Sequence, residues 1–121
     1  MTTLSTNDGV FEFSEKSAGD VMTPRTEMIV LNASLSVQDA ADRVAAARRS
    51  RYPVVADSID SIVGVVHAKD VLAALRANSD AEILTLARKP LFVPRTKEVE
   101  DVLVDMKRLK VHLAVVLDEY G

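Results

Sequence analysis

The 121 residues are 48% hydrophobic and 27% charged, a balance that fits one compact domain or two small half-domains and excludes a disordered chain. A net charge of −3 excludes the basic face that a nucleic-acid partner requires. The absence of cysteine excludes disulfides, thiolate nucleophiles and cysteine-based zinc sites.

No apolar run reaches the about 20 residues that cross a bilayer. Residues 1–9 are polar and expected to be mobile, without the basic flank and apolar core of a signal peptide. Val10-Phe11-Glu12-Phe13-Ser14 alternates and reads as the end of an arriving segment. Gly19 and Pro24 bracket a turn or one-turn helix. Met28-Ile29-Val30-Leu31 is a continuous apolar run and predicts a buried strand. Ser34 is a candidate N-cap for a helix whose apolar face is Val37, Ala40, Ala41, Val44 and Ala45. Arg48 and Arg49 are placed in its last turn, where cations complement the helix dipole.

Tyr52-Pro53-Val54-Val55 predicts a second strand, with Pro53 at its start or on an edge because it cannot donate to a ladder. Asp57–Ser61 is a turn and Ile62–Val66 a third strand. His67-Ala68-Lys69-Asp70 leads into a helix with Val71, Leu72 and Leu75 on one side, ending near Asn78. The order then restarts. Leu91-Phe92-Val93 is a strand, Thr96 a candidate cap, and Val99, Val102, Leu103 and Met106 the face of a helix. Lys107, Arg108 and Lys110 close that helix, Leu113–Leu117 is a strand, and Asp118–Gly121 its turn.

Ile29-Val30-Leu31 maps onto Leu91-Phe92-Val93 at an offset of 62 residues, as do Ser34 onto Thr96 and Val37 onto Val99. Arg51–Val55 maps onto His112–Val116 at an offset of 61, as if one residue were lost between. The second copy has no counterpart of Ile62–Ala77, which leaves its last strand with an expected open edge.

The β-α-β-β-α unit and its doubling resemble a CBS-domain pair, or Bateman module. Val21-Met22-Thr23-Pro24-Arg25, Ser50-Arg51-Tyr52-Pro53-Val54, Gly64–Asp70, Phe92-Val93-Pro94 and Asp118-Glu119-Tyr120-Gly121 occur in the order of the CorC/hemolysin C family, and residues 9–14 resemble its lead-in. The resemblance implies an α/β (α+β) fold of tandem CBS units related by a pseudo-twofold. These are a lead-in at 1–14, unit 1 at 15–79 and an incomplete unit 2 at 80–121. It implies a cytosolic module attached to the transmembrane domain of a magnesium/cobalt efflux protein, homodimeric through its CBS pairs. It also implies binding of an adenosine nucleotide, AMP or ATP, with Mg²⁺ carried on the phosphates as one option. Asp70 then holds the ribose hydroxyls and His67 faces phosphate. Met22, Thr23, Arg25 and Arg51-Tyr52-Pro53-Val54 wall the cleft, the base meeting backbone groups of Tyr52 and Val54.

Taken without the family, the same residues leave alternatives open. Asp70 is either a helix-start acid favoured by the dipole or an acceptor for a ribose diol. His67 is a satisfied strand-end histidine, a phosphate donor or a metal ligand, the last weakened because His112 is the one other histidine. Arg51 at a strand start can clamp phosphate bidentately, whereas Arg48 and Arg49 complement a helix end. Thr23 and Arg25 are turn residues around Pro24 or cleft lining. Adjacent Asp118 and Glu119 read as solvated turn acids. No Walker loop, G-x-S-x-G, H-E-x-x-H or Cys-His arrangement is present, so the expectation is a regulatory binding module and not an enzyme. The rival expectation is a structural dimerisation module without ligand.

Overall fold

The computed structural model of the chain describes residues 2–5, 16–77 and 80–117. The lead-in at Val10–Ser14 and the turn at Asp118–Gly121 lie outside the described residues. The fold is mixed α/β, and it divides into two compact units, residues 29–89 and residues 1–28 with 90–121. The sequence halves at 15–79 and 80–121 divide the chain differently.

In the 29–89 unit, β2 (Leu31–Asn32) lies parallel to β3 (Arg51–Val55), and β3 lies antiparallel to β4 (Ile62–His67). Helix α2 (Val37–Ala47) joins β2 to β3, and α3 (Ala68–Ala77) continues directly from β4. The core is Leu31, Val37, Ala40, Ala41, Val44, Tyr52, Val54, Val66, Val71 and Ile83. The apolar periodicity of α2 therefore points where the sequence places it, except that Ala45 is exposed. Leu72 of α3 is also exposed, at 50%, and does not share the inward face of Val71. The expected strand over Met28–Leu31 shrinks to β2, and Ile29 is left exposed.

Pro53 sits in the middle of the central strand, not at its start. Val65, opposite it, gives its N–H to the Arg88 carbonyl at 3.0 Å and accepts the Arg88 N–H at 2.8 Å. Pro53–Val65 is therefore a non-hydrogen-bonded pair of the ladder, so the missing proline N–H costs no bond to β4. By the same alternation Tyr52 uses its backbone groups on Val66.

The other unit repeats the frame. β5 (Leu91–Pro94) lies parallel to β6 (Leu113–Leu117), with α4 (Val99–Leu109) between them. β1 (Thr2–Ser5) pairs antiparallel with the other side of β6, Leu4 opposite Ala114. The first residues, expected to be mobile, thus cover the edge expected to be open. Leu4 is fully buried with Ala18, Val93, Val102, Met106, Ala114 and Val116. A four-residue helix, α1 (Ala18–Val21), packs here, its start closed by the Asp20 carboxylate accepting the Ser17 N–H at 3.0 Å. That bond comes first among the causes that hold Asp20 below the usual carboxylate range.

The repeat keeps one offset throughout. α2 and α4, their left-handed C-caps Arg48 and Lys110, and β3 and β6 all correspond at 62 residues. Tyr52 is equivalent to Ala114 and Val54 to Val116. The offset of 61 read from residue identity is wrong because a one-residue slip turns every strand side chain to the opposite face. The caps differ from expectation too. Ser36 caps α2, accepting the Asp39 N–H at 3.1 Å, while Ser34 bonds to the Asn32 side chain. Glu98, not Thr96, precedes α4 and makes no side-chain cap. Arg48 and Arg49 follow α2 instead of ending it, and the Arg49 N–H donates to the Tyr52 hydroxyl at 2.8 Å.

A second repeat, at an offset of 65, joins the lead-in segments. Val99 donates its N–H to Lys16 and Val37 donates to Ala81; Ala18 donates to Lys97 and Ile83 donates to Leu35. Downstream of these, Thr23 bridges the outer edge of β1 at Thr3, and Arg88 bridges the outer edge of β4 at Val65. The short 3-10 turn Ile83–Leu86 is thus the counterpart of α1.

Candidate functional site

Of the residues singled out by sequence, six share the 29–89 unit: Arg51, Tyr52, Pro53, Val54, His67 and Asp70. Met22, Thr23 and Arg25 belong to the other unit. Met22 packs against that unit's core, and Thr23 donates its N–H to the Thr3 carbonyl at 2.7 Å. Thr23 and Arg25 each carry further interactions of their own.

Tyr52, Pro53 and Val54 are buried and act as scaffold. The Tyr52 ring is inside the core, and its hydroxyl accepts from Arg49 just beyond the end of α2. Its backbone, committed to Val66, does not present free groups to a base.

The polar groups gather where β3 begins and β4 ends. Arg51 is the cross-strand partner of His67. Asp70 is three residues further on, in the first turn of α3, where the exposed N–H groups of a helix start favour an anion. Arg88, which the sequence reading missed, completes the group. Its Nη2 donates to Asp70 Oδ2 at 2.8 Å, with side-chain exposures of 57% and 31%. It is positioned by its two backbone bonds to Val65 and by the close approach of β4 at Gly64. A Cβ on Gly64 would lie 2.7 Å from the Ala87 Cβ and 3.3 Å from the Arg88 carbonyl oxygen. The equivalence of Arg88 with Thr23, in a lead-in already singled out, was the signal that could have found it.

Burial lowers the pKa of His67 from its ordinary value of 6.5, and the cations Arg88 and Arg51 lower it further, against the opposing pull of Asp70. The imidazole is therefore held toward its neutral form. Arg51 Nε is a buried donor with no hydrogen-bond partner. An unmet donor of that kind costs about 1–3 kcal/mol, which an anionic acceptor would recover. The arrangement is a cationic patch with one carboxylate, able to take a phosphate-bearing molecule that also offers hydroxyl donors. Among the described residues no three His, Cys, Asp or Glu side chains gather to hold a metal, and no helix is long and apolar enough to cross a membrane.

Comparison with known proteins places this geometry in a family. Residues 18–77 match the model of the CBS domain. The magnesium and cobalt efflux protein CorC of Pasteurella multocida is 34% identical over 115 residues, covering 94% of this chain and 38% of the relative. The chain thus spans well under half the length of that relative. Among solved structures, a hemolysin-like CBS-domain protein of Oenococcus oeni is 35% identical with a TM-score of 0.85, covering 90% of this chain and 81% of that one. The CBS domain of a bacterial CNNM/CorC family Mg²⁺ transporter in complex with ATP is 33% identical with a TM-score of 0.84, covering 90% and 78%. On these likenesses the chain belongs to the CBS-domain family, as a CBS module of the CNNM/CorC transporter type.

Proposed function

We propose that the chain is a regulatory, non-catalytic module that binds an adenosine nucleotide on its 29–89 unit. The observation that carries the reading is the buried, unpartnered Nε of Arg51 across the strand from His67, three residues ahead of Asp70. Arg51 and His67 face the phosphates. Asp70 accepts the ribose hydroxyls from the first turn of α3, a helix start that favours an anion. The ATP bound by the CNNM/CorC relative and the AMP bound by CBSX2, 28% identical with a TM-score of 0.73, support an adenosine nucleotide. Any Mg²⁺ arrives with the phosphates, since the described residues offer no three-ligand cage for it. As part of a longer protein the module acts at the cytoplasmic face of the membrane, attached to a transmembrane domain; the name of the CorC relative, magnesium and cobalt efflux protein, supports efflux of those ions as the process it regulates. Binding biases the module's conformation by no more than the nucleotide's differential affinity for its alternative states.

The test is calorimetry and thermal unfolding of the chain with AMP, ADP and ATP, with and without Mg²⁺. Saturable stabilisation is expected, about 2.7 kcal/mol at a hundredfold excess over Kd. Asp70→Ala is expected to remove it; equal stabilisation of wild type and Asp70→Ala rejects the site.

A second reading, a homodimerising structural module, is favoured by exposed apolar side chains on two helices: Leu72 on α3, and Val104 and Leu109 on α4, 63% and 48% exposed. It predicts a dimer in light scattering, lost on Leu72→Lys or Val104→Lys, with no response to any adenosine compound.

A further inference from the structure

The Asp70 carboxylate is already engaged. Arg88 holds Oδ2 at 2.8 Å, so one of the two oxygens assigned to the ribose diol already carries a guanidinium before any ligand arrives. The pair is partly exposed, and exposed ion pairs of this kind are weak and readily exchanged. The Arg88 main chain, by contrast, is fixed to β4 by both hydrogen bonds with Val65. The side chain is therefore free to change partner while its anchor stays. A phosphate beside Arg51 and His67 is a better partner than a carboxylate that has turned to a diol, because it carries about −1.5 to −2 charge and can engage both arms of a guanidinium that here reaches Asp70 through Nη2 alone.

We propose that Arg88 is an exchanging arm that sets the preference of this site for phosphorylated ligands. Without nucleotide it covers Asp70; with nucleotide it releases Asp70 to the ribose and takes the phosphate. The inference rests on the nucleotide reading above. Adenosine must displace Arg88 and gains nothing from it, whereas AMP recovers the displaced guanidinium. Both ligands displace the side chain, and the preference for the phosphorylated one comes from the contact that only AMP makes.

The test is calorimetric titration of the full chain and of Arg88→Ala and Arg88→Lys with adenosine and with AMP. Arg88→Ala should bind adenosine more tightly, by up to about fivefold, the worth of an exposed ion pair. It should bind AMP more weakly, by about two- to thirtyfold, the lost charge-assisted phosphate contact outweighing the displacement cost saved. Arg88→Lys should retain part of the AMP affinity, since a lysine keeps the charge without the planar fork. Opposite shifts for the two ligands uphold the exchange. Shifts of the same sign, or none while the wild type still binds AMP, overturn it and leave the nucleotide reading standing. A wild type that binds neither ligand removes both. Melting of the unliganded variants serves as the folding control and should show cooperative unfolding with only the small loss that an exposed ion pair accounts for.

Discussion

Arg51 stands across from His67 at the head of β3, and at the equivalent head of β6 Leu113 stands across from Ser5. The helix after β4 brings Asp70, and the bridging segment beside β4 brings Arg88; the segment beside β1 brings Thr23. Two copies of one β-α-β frame thus carry different chemistry at the same strand ends. Frame and function are separable here. Apolar alternation and helix periodicity build both sheets, while a handful of strand-end substitutions confine the charged cluster to one of them.

The sharpest way to break that comparison is at the third strand of each sheet. Leu4 is opposite Ala114 as Val66 is opposite Tyr52, and both are fully buried. Leu4→Ala should cost about 2–5 kcal/mol in denaturant unfolding. If it leaves the midpoint unchanged, β1 is no part of the second sheet. Next in size is Gly64, whose ladder position corresponds to Thr2 in the other sheet. Gly64→Val meets the Ala87 Cβ and should cost about 1–3 kcal/mol. It should also weaken AMP binding by moving the Arg88 anchor. Unchanged stability would show that the Ala87–Arg88 segment does not hold against β4.

The helix starts give a smaller contrast. Ser36→Ala removes a real cap and should cost about 1 kcal/mol, while Glu98→Ser supplies an absent one and should gain a few tenths of that in the same assay. Equal effects of opposite expectation would mean the caps are equivalent after all.

The smallest effect is the pH dependence of His67, present in one unit and replaced by Ser5 in the other. Its folded pKa lies below the ordinary value of 6.5, so its contribution to stability is complete above that pH. The contribution is lost as pH falls through 6.5 toward the lowered folded value. A bound phosphate has the reverse sign: it favours the imidazolium, so nucleotide binding takes up a proton and tightens as pH falls through the same window. Titrations in buffers of differing ionisation enthalpy read the net proton change, and His67→Gln should shift it toward release, leaving the phosphate's own ionisation at about pH 6.

The frame was legible in the sequence because burial writes itself as period. Val37, Ala40, Ala41 and Val44, and Val99, Val102 and Met106, are buried where the spacing put them. Strand register was not, because identity matching at Val54-Val55 and Val115-Val116 ignores which face a side chain takes, and the face is fixed only by pairing. The role of Thr2–Ser5 was hidden because four short polar-looking residues carry no periodic signal; the ladder and one leucine give them a place. For the site, Arg51, His67 and Asp70 lie on one sheet end, as sequence order through β3, β4 and α3 requires. Met22, Thr23 and Arg25 were grouped with them by motif alone, whereas Thr23 is paired with β1 and all three belong to the unit that holds β1 and β6. Arg88 escaped because its importance comes from a bridge to Val65, a contact between segments that no local pattern records.

The exchange of lead-in segments changes what a copy of this domain is. Each sheet is finished by a stretch of chain that belongs, by sequence order, to the other copy: residues 81–89 close one, residues 16–23 the other. A cut at residue 79 therefore strips Ile83 from the core it fills, whereas residues 29–89 keep their whole sheet and interior and are expected to fold as an excised piece.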